Sequence, residues 1–372
     1  MNIDVLVEIN GQAYDGFLSF AISRDFKSLA GEFSLACAPK AAFPLEVNQT
    51  CRIVLNGEPI INGFIEKMQI SYSSSAHNLI VSGRDKTCDI IDSHVGPKMS
   101  FNKSLLLSDI IQASLDQLGI NNINILSNVA ITPFESNVTI GADIGTTHFQ
   151  FLSKFCAMKQ VILTTDGDGN ILLDRASDKS ISTWLLNELN SEKNNISEGQ
   201  AIYDFSKVFY SYTGYSTINP NSAQDAITTP YQAMNLPIKP AYNTSLPPRR
   251  HTRKYIFLPE SISTVDDMNK RVQWQADTDK ANAMMYACKV AGFTAETDGV
   301  LWKPNMLVNV VDTFTGVNGQ FLILSVRYEF APGNTGGATT SLTMVSPEAF
   351  KLQSDKEQEQ AVVSVLGKGF VI

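Results

Sequence analysis

Apolar and polar residues alternate along most of the segment from Ile3 to about Asp92. Asp4-Val-Leu-Val-Glu-Ile9 alternates up to a turn at Asn10-Gly11, Phe17, Phe20 and Ile22 continue as a strand, and Phe33 and Leu35 alternate with polar neighbours until Pro39 breaks the run. The stretch Asn48-Gln-Thr-Cys-Arg-Ile-Val-Leu55, running to Asn62-Gly63-Phe64-Ile65 and closing on Leu79-Ile-Val-Ser82, is echoed late in the chain. There Asn305-Met-Leu-Val-Asn-Val-Val-Asp312 leads to Asn318-Gly319-Gln-Phe-Leu-Ile323 and closes on Leu342-Thr-Met-Val-Ser346. Each copy predicts a strand, an Asn-Gly turn, a second strand, a variable loop and a third strand, the cadence of a small antiparallel barrel. The copies differ in the variable loop, Ser-rich at Ser73 to Ser75 in one and Ala331-Pro-Gly-Asn-Thr-Gly-Gly337 in the other.

The period changes near Lys98. Leu107, Ile110, Ile111, Leu115 and Leu118 keep helical spacing, with Asn102 or Ser104 placed to cap the start and Gly119 the end. Thr147-His-Phe-Gln150 is a capping box opening a helix that buries Phe151, Leu152 and Phe155. Two short apolar runs, Val161 to Thr165 and Ile171 to Asp174, flank Asp166-Gly-Asp-Gly-Asn170 and predict a hairpin. Strand propensity returns in the aromatic stretch Tyr203 to Tyr215, and prolines at 220, 230, 237, 240, 247 and 248 then prevent any long regular element. A long helix follows from about Thr264 to Ala291, with a small-residue stripe of Val265, Met268, Val272, Ala276, Ala283 and Ala287 and an exposed Asp266–Lys270 pair.

These elements predict a multidomain α+β chain that is mainly β. Its expected parts are a first β-barrel at 1–92, a small α/β domain at 93–180, and a second β-barrel at 181–215 plus 292–350. A proline-rich excursion with the long helix, 216–291, is inserted in the second barrel, and 351–372 forms a tail. That tail passes from a charged run to an apolar end, fitting either a frayed terminus or a segment that orders on a partner.

With 372 residues, 44% of them hydrophobic and 18% charged, the chain exceeds one compact core and has the composition of a folded protein. A net charge of -8 argues against a chain built to coat nucleic acid. Five scattered cysteines without Cys-x-x-Cys spacing fit a reduced cytoplasmic origin. The acidic N-terminus lacks the form of a signal peptide, and no apolar run has the length to cross a bilayer.

Candidate chemistry is sparse. The histidines, His77, His94, His148 and His251, lie far apart with no metal-ligand spacing. Asp166-x-Asp168-x-Asn170 imitates the start of a calcium loop, but Ile171 and Ser177 stand where glycine and a bidentate glutamate are needed, which favours the hairpin. No nucleophile-elbow or phosphate-loop pattern is present. Carboxylate pairs such as Asp266 with Asp267 or Asp89 with Asp92 are candidates for acid and base work, but carboxylates are abundant and the sequence shows no shared cleft. The charged pair Arg84-Asp85 reads as a structural ion pair fixing a barrel end, and Arg249-Arg-His-Thr-Arg-Lys254 as a solvated face or an intersubunit salt bridge. No residue is assigned a catalytic, cofactor-binding or metal-binding role.

The run Gly83-Arg-Asp-Lys-Thr-Cys-Asp-Ile-Ile-Asp92 resembles the corresponding segment of the baseplate hub protein of phage Mu and related prophages. So does the later block: the long helix, Ala291-Gly-Phe293, Gly299-Val-Leu-Trp-Lys-Pro304, Val308 to Asp312 and Leu322-Ile-Leu-Ser-Val-Arg-Tyr-Glu329. That family is similar in fold to the central hub of T-even phages and to the first part of the type VI secretion spike protein VgrG. The resemblance implies a homotrimer whose two barrels per chain make a ring of approximate sixfold symmetry, between the hexameric tail tube and the trimeric membrane-piercing spike. It implies a place in the virion tail baseplate, assembled in the host cytoplasm, with no specific nucleic-acid binding, membrane insertion or catalysis. Two rivals stand beside this reading: a tail-associated hydrolase of cell wall or glycans, and a receptor- or carbohydrate-binding protein with Trp184 or Trp302 as a sugar platform. Of the two tryptophans, Trp302 is expected in the core, because it lies between a turn and a strand.

Overall fold

The structure is a computed structural model that describes residues 4–37, 45–74, 77–96, 105–134, 145–215, 226–230, 252–257, 265–331, 337–347 and 350. Strands come first: β1 (Val5–Ile9), β2 (Gln12–Ala13), β3 (Phe17–Asp25), β4 (Glu32–Cys37), β5 (Thr50–Leu55), β6 (Glu58–Tyr72) and β7 (His77–Asp85), then the short helix α1 (Cys88–Asp92). Helix α2 (Leu107–Leu118), strand β8 (Ile125–Ser127), helix α3 (His148–Met158) and strands β9 (Ile162–Thr165) and β10 (Ile171–Asp174) follow. Strands β11 (Ser180–Asn187), β12 (Ile196–Tyr203), β13 (Ser211–Tyr215), β14 (Ala226–Pro230) and β15 (Lys254–Phe257) lead to helix α4 (Val265–Asn282). Four strands complete the order: β16 (Met284–Ala291), β17 (Leu307–Asp312), β18 (Val317–Ala331) and β19 (Gly337–Val345). The chain is mainly β, as its alternation predicts.

Thirteen strands share one sheet, ordered β12-β16-β19-β18-β3-β4-β7-β6-β5-β1-β2, with β17 beside β18 and β11 beside β17. No closed barrel is found among the described residues, where two were expected. Strand β18 outruns its hairpin partner β17 and uses its far half, Ser325 to Phe330, to pair with Asp25 to Phe20 of β3. One apolar cluster accordingly spans both halves, from Val7, Ile22 and Leu35 to Tyr286, Val310 and Met344.

The echoed segments match in structure. β5, β6 and β7 are 6, 15 and 9 residues long, and β17, β18 and β19 repeat those lengths. Each long strand breaks register against its third strand at an equivalent place, between Ile65 and Lys67 and between Ile323 and Ser325. Before each first strand an asparagine takes a left-handed backbone, Asn48 at φ 66° and Asn305 at φ 65°. Asn48 N donates to Ile65 O at 2.7 Å and Asn305 N to Ile323 O at 2.8 Å; Ile65 N and Ile323 N return the bond to Gln49 O and Met306 O, both at 2.9 Å.

The Asn-Gly turns, however, lie elsewhere. Asn62-Gly63 and Asn318-Gly319 sit inside β6 and β18, and the first hairpin turns at Asn56-Gly57, both left-handed. Gly63 is there for close approach: a Cβ on it would lie 1.8 Å from Arg84 O.

Between the halves, β8, β10 and β9 form a small sheet covered by α2 and α3. Helix α3 has the expected capping box, with Thr147 Oγ1 accepting from Gln150 N and Gln150 Oε1 from Thr147 N, both at 3.2 Å. Helix α2 ends at Gly119 in the left-handed region as expected. Its start differs: the N-cap is Leu106, whose N–H is held by the Asp109 carboxylate at 2.9 Å, while Asn102 and Ser104 lie outside the described residues. The unit is pinned to the first half by Arg24, which donates to Ile60 O at 3.0 Å and Thr165 O at 2.5 Å, and by Asn62 Nδ2, which donates to Asp168 O at 3.0 Å.

Two element predictions change. Helix α4 stops at Asn282, and Met284 to Ala291 is a strand whose alternate residues Met284, Tyr286, Cys288 and Val290 are buried. Small residues at 283 and 287 satisfy a helical period by coincidence; the period of two decides. The aromatic stretch with strand propensity holds a loop at 204–210 between the end of β12 at Tyr203 and the start of β13 at Ser211. Strands β13, β14 and β15 form their own sheet, whose Tyr212 joins Val272 and Ala276 of α4 on the core of the small α/β unit.

Candidate functional site

The family-like run after β7 separates into two devices. Val81, Gly83 and Asp85 occupy the inward face of β7, so Asp85 is fully buried. Its carboxylate accepts from Gly31 N at 2.8 Å and Asn62 N at 3.0 Å, tying the loop before β4 and the middle of β6 to the strand end. Burial pushes this carboxyl up to about 6, against the opposing pull of Arg24 and the two backbone donors. Arg84 faces outward and does not pair with Asp85; it bonds Glu66 at 2.7 Å and Asp92 at 2.5 Å. The ion pair expected here is therefore structural, but with other partners. Thr87 Oγ1 donates to Leu29 O at 2.6 Å and Lys86 Nζ to Asn122 O at 2.8 Å, so the run is consumed in holding elements together.

Of the acid–base candidates, Asp89 and Asp92 are the pair whose side chains are described. Asp92 is held below the ordinary carboxylate range by its hydrogen bonds from Arg84, which suits an ion pair and not a proton donor at neutral pH. The side chains of Asp266 and Asp267 lie outside the described residues, as does the Asp266 half of the expected pair with Lys270. A groove of about 850 Å³ beside the β18–β3 junction is lined by Glu198, Glu296 and Glu329. Glu329 is engaged there by Arg327 at 2.8 Å and Lys289 at 3.9 Å.

Among the described residues no three of His, Cys, Asp and Glu gather as a metal site, and all five cysteines are free and buried. Asp166 spends its carboxylate on its own hairpin, accepting from Asp168 N, Asn170 N and Asn170 Nδ2 at 2.8–3.0 Å. His148 is buried, which pushes its imidazole down toward the neutral form.

Of the sugar-platform candidates, Trp302 is core, 2% exposed, and Trp184 is half exposed on β11. Within the basic run, Arg249, Arg250 and His251 lie outside the described residues. Arg253 lies over the Phe209 ring, 5.0 Å from its centroid, and donates to Phe205 O at 3.1 Å. No described helix is long and apolar enough to cross a membrane.

The surface features left over are sheet edges and exposed apolar side chains. β6 pairs with β7 alone beyond Ile65, and β12 is the last strand of the sheet. Ile70 and Tyr72 on β6 are 75% and 83% exposed. Neither edge was foreseen from the sequence, because which edge stays open depends on the pairing of the whole sheet.

Comparison with known proteins agrees with this picture. Residues 4–85 match the family model described as Mu phage baseplate assembly protein GpP-like, N-terminal, and residues 264–353 match Mu phage baseplate assembly protein GpP, fourth domain. These two segments hold the two copies of the strand triplet. The baseplate hub protein gp44 of Escherichia phage Mu is 22% identical over 375 residues, covering 97% of this chain and 93% of that protein. The crystal structure of the prophage MuSo2 43 kDa tail protein from Shewanella oneidensis is similar at TM-score 0.75 and 23% identity, over 94% of this chain and 99% of that one. An Escherichia coli protein, c3393, described as a type VI secretion component structurally similar to T4 tail proteins gp27 and gp5, gives TM-score 0.52 at 10% identity, over 93% and 77%. The resemblance to Mu-type hub proteins read from the sequence is met in both halves of the chain.

Proposed function

We propose that this chain is a structural baseplate hub of a contractile phage tail, made in the host cytoplasm and built into the virion. Three copies form a ring whose six related β units, two small barrels per chain, meet the hexameric tail tube on one face and the trimeric membrane-piercing spike on the other. Its parts would be the five segments drawn from the sequence, with 284–291 moved from the excursion into the second β unit. The observation that carries the reading is the duplication in register, since a chain with two equivalent modules is what lets a threefold molecule present six similar positions. Its action is mechanical: closed subunit interfaces hold the ring while sheath contraction drives the spike, and complementary surfaces pass the force on.

Light scattering on the eluting peak tests the assembly, with three times the chain mass expected. A stable monomer at micromolar concentration that also fails to bind the cognate spike overturns the proposal. The hub is taken as non-enzymatic, so incubation with purified peptidoglycan or lipopolysaccharide is expected to release no product. Turnover abolished by replacing one carboxylate would favour the hydrolase instead.

A further inference from the structure

The duplication extends past the strand triplet and leaves one strand pairing without its counterpart. β3 pairs with β4 as β12 pairs with β16, and both pairings break register at one place, between Phe17 and Ser19 and between Ile196 and Glu198. The partner residues at those breaks are equivalent too: Cys37 lies opposite Leu79 of β7, and Val290 opposite Thr340 of β19. The units β3-β4-β7-β6 and β12-β16-β19-β18 thus correspond residue by residue. In the second unit, β18 presents Ser325 to Phe330 to β3, with Ser325 opposite Asp25 and Phe330 opposite Phe20. The equivalent edge of the first unit is Lys67 to Tyr72 of β6, and the strand equivalent to β3 is β12. Within one chain these two edges do not pair.

Resting on the trimeric reading above, we propose that they pair between copies: β6 of one chain adds antiparallel to β12 of the next, repeating the seam that β18 and β3 make inside the chain. Carrying the register across sets Lys67 opposite Asp204, Gln69 opposite Ile202 and Tyr72 opposite Gly199. Three features of the edges fit this occupant. Lys67 and Asp204 are both exposed and of opposite charge. Ile70 and Tyr72 on one edge and Ile202 and Tyr203 on the other, the latter 37% and 40% exposed, are apolar groups that the pairing would cover. Tyr72 falls opposite Gly199, at the place where the internal seam stacks Phe330 on Phe20 at 5.7 Å. A bare strand edge of this kind pairs unless it is covered or charged throughout. Each chain carries one edge of each kind, so the contact is head to tail and closes only as a ring.

Cysteine cross-linking in the full chain tests the register, since the native cysteines are buried. Gln69→Cys with Ile202→Cys is expected to give covalent dimers and trimers under mild oxidation. Gln69→Cys with Gln200→Cys, two residues out of register, should give roughly a tenth as much. Lys67→Glu is expected to weaken assembly roughly fivefold, from a lost ion pair and a new like-charge contact, and Lys67→Glu with Asp204→Lys to restore it. A trimer by light scattering with no in-register cross-link, or with Lys67→Glu assembling as tightly as the parent, overturns this seam and leaves the hub reading standing. A monomer without cross-links overturns both.

Discussion

Glycine at 63 and 83 lets β6 and β7 lie closer than any side chain permits. A Cβ at either would stand 1.8 Å from a backbone carbonyl oxygen of the facing strand, that of Arg84 or of Phe64. Gly63→Ala is therefore expected to destabilise by about 3 kcal/mol or more. Gly57→Ala, at φ +79° in open space, should cost only about 1 kcal/mol. Urea unfolding that ranks them the other way would contradict the close-approach argument. Asp85 makes a pH prediction. Its folded carboxyl titrates near 6, above its unfolded value, so the buried charge costs stability above that pH and the cost fades as pH falls. From pH 7 to pH 5, wild type should gain about 1 kcal/mol relative to Asp85→Asn; parallel denaturation curves would refute it. The burial of Asp85 was legible, because alternation puts 81, 83 and 85 on one face. Its partners were not, because Gly31 lies in a loop and Asn62 in β6, and only the fold brings them near.

Elements were legible where their signals are local. The capping box at Thr147 and the glycine after α2 stand where they were read, because each is decided within a turn of the chain. The end of α4 was missed, because a small-residue run serves a helix and a strand equally until burial chooses. The two left-handed asparagines separate shared geometry from added contacts. Asn305 accepts from Ser177 N at 2.8 Å and donates to Arg175 O at 2.8 Å and to Asp174 at 3.1 Å, which joins the second half to the small α/β unit. No such side-chain bond is seen at Asn48 among the described contacts. Asn305→Ala should then cost about 2–4 kcal/mol and Asn48→Ala about 1 kcal/mol, mostly backbone strain. Equal losses in chemical denaturation would show that the side-chain bonds contribute nothing.

At the scale of the whole molecule, the halves share a core. A second cluster joins Phe26 of the first half, Trp274 and Ala281 of α4, and Leu307, Leu322 and Val345 of the second. Unfolding is expected to be a single transition, with tryptophan fluorescence and far-UV circular dichroism coinciding; two resolved steps would mean that the halves stand alone. The joining of the halves was not legible, because β3 and β18 lie some three hundred residues apart and their pairing leaves no local mark. The duplication itself was legible, since each copy keeps its apolar spacing, although its turn was set within the second strand and not at the connection ahead of it. That connection differs between copies: the first hairpin turns on Asn56-Gly57, the second on the longer Thr313 to Gly316. Register is set within the strands, by the paired irregularities and the left-handed asparagines. Hairpin tips are thereby released from that duty, and a lineage of such chains can lengthen or recompose them to suit a new neighbour without redrawing the sheet beneath.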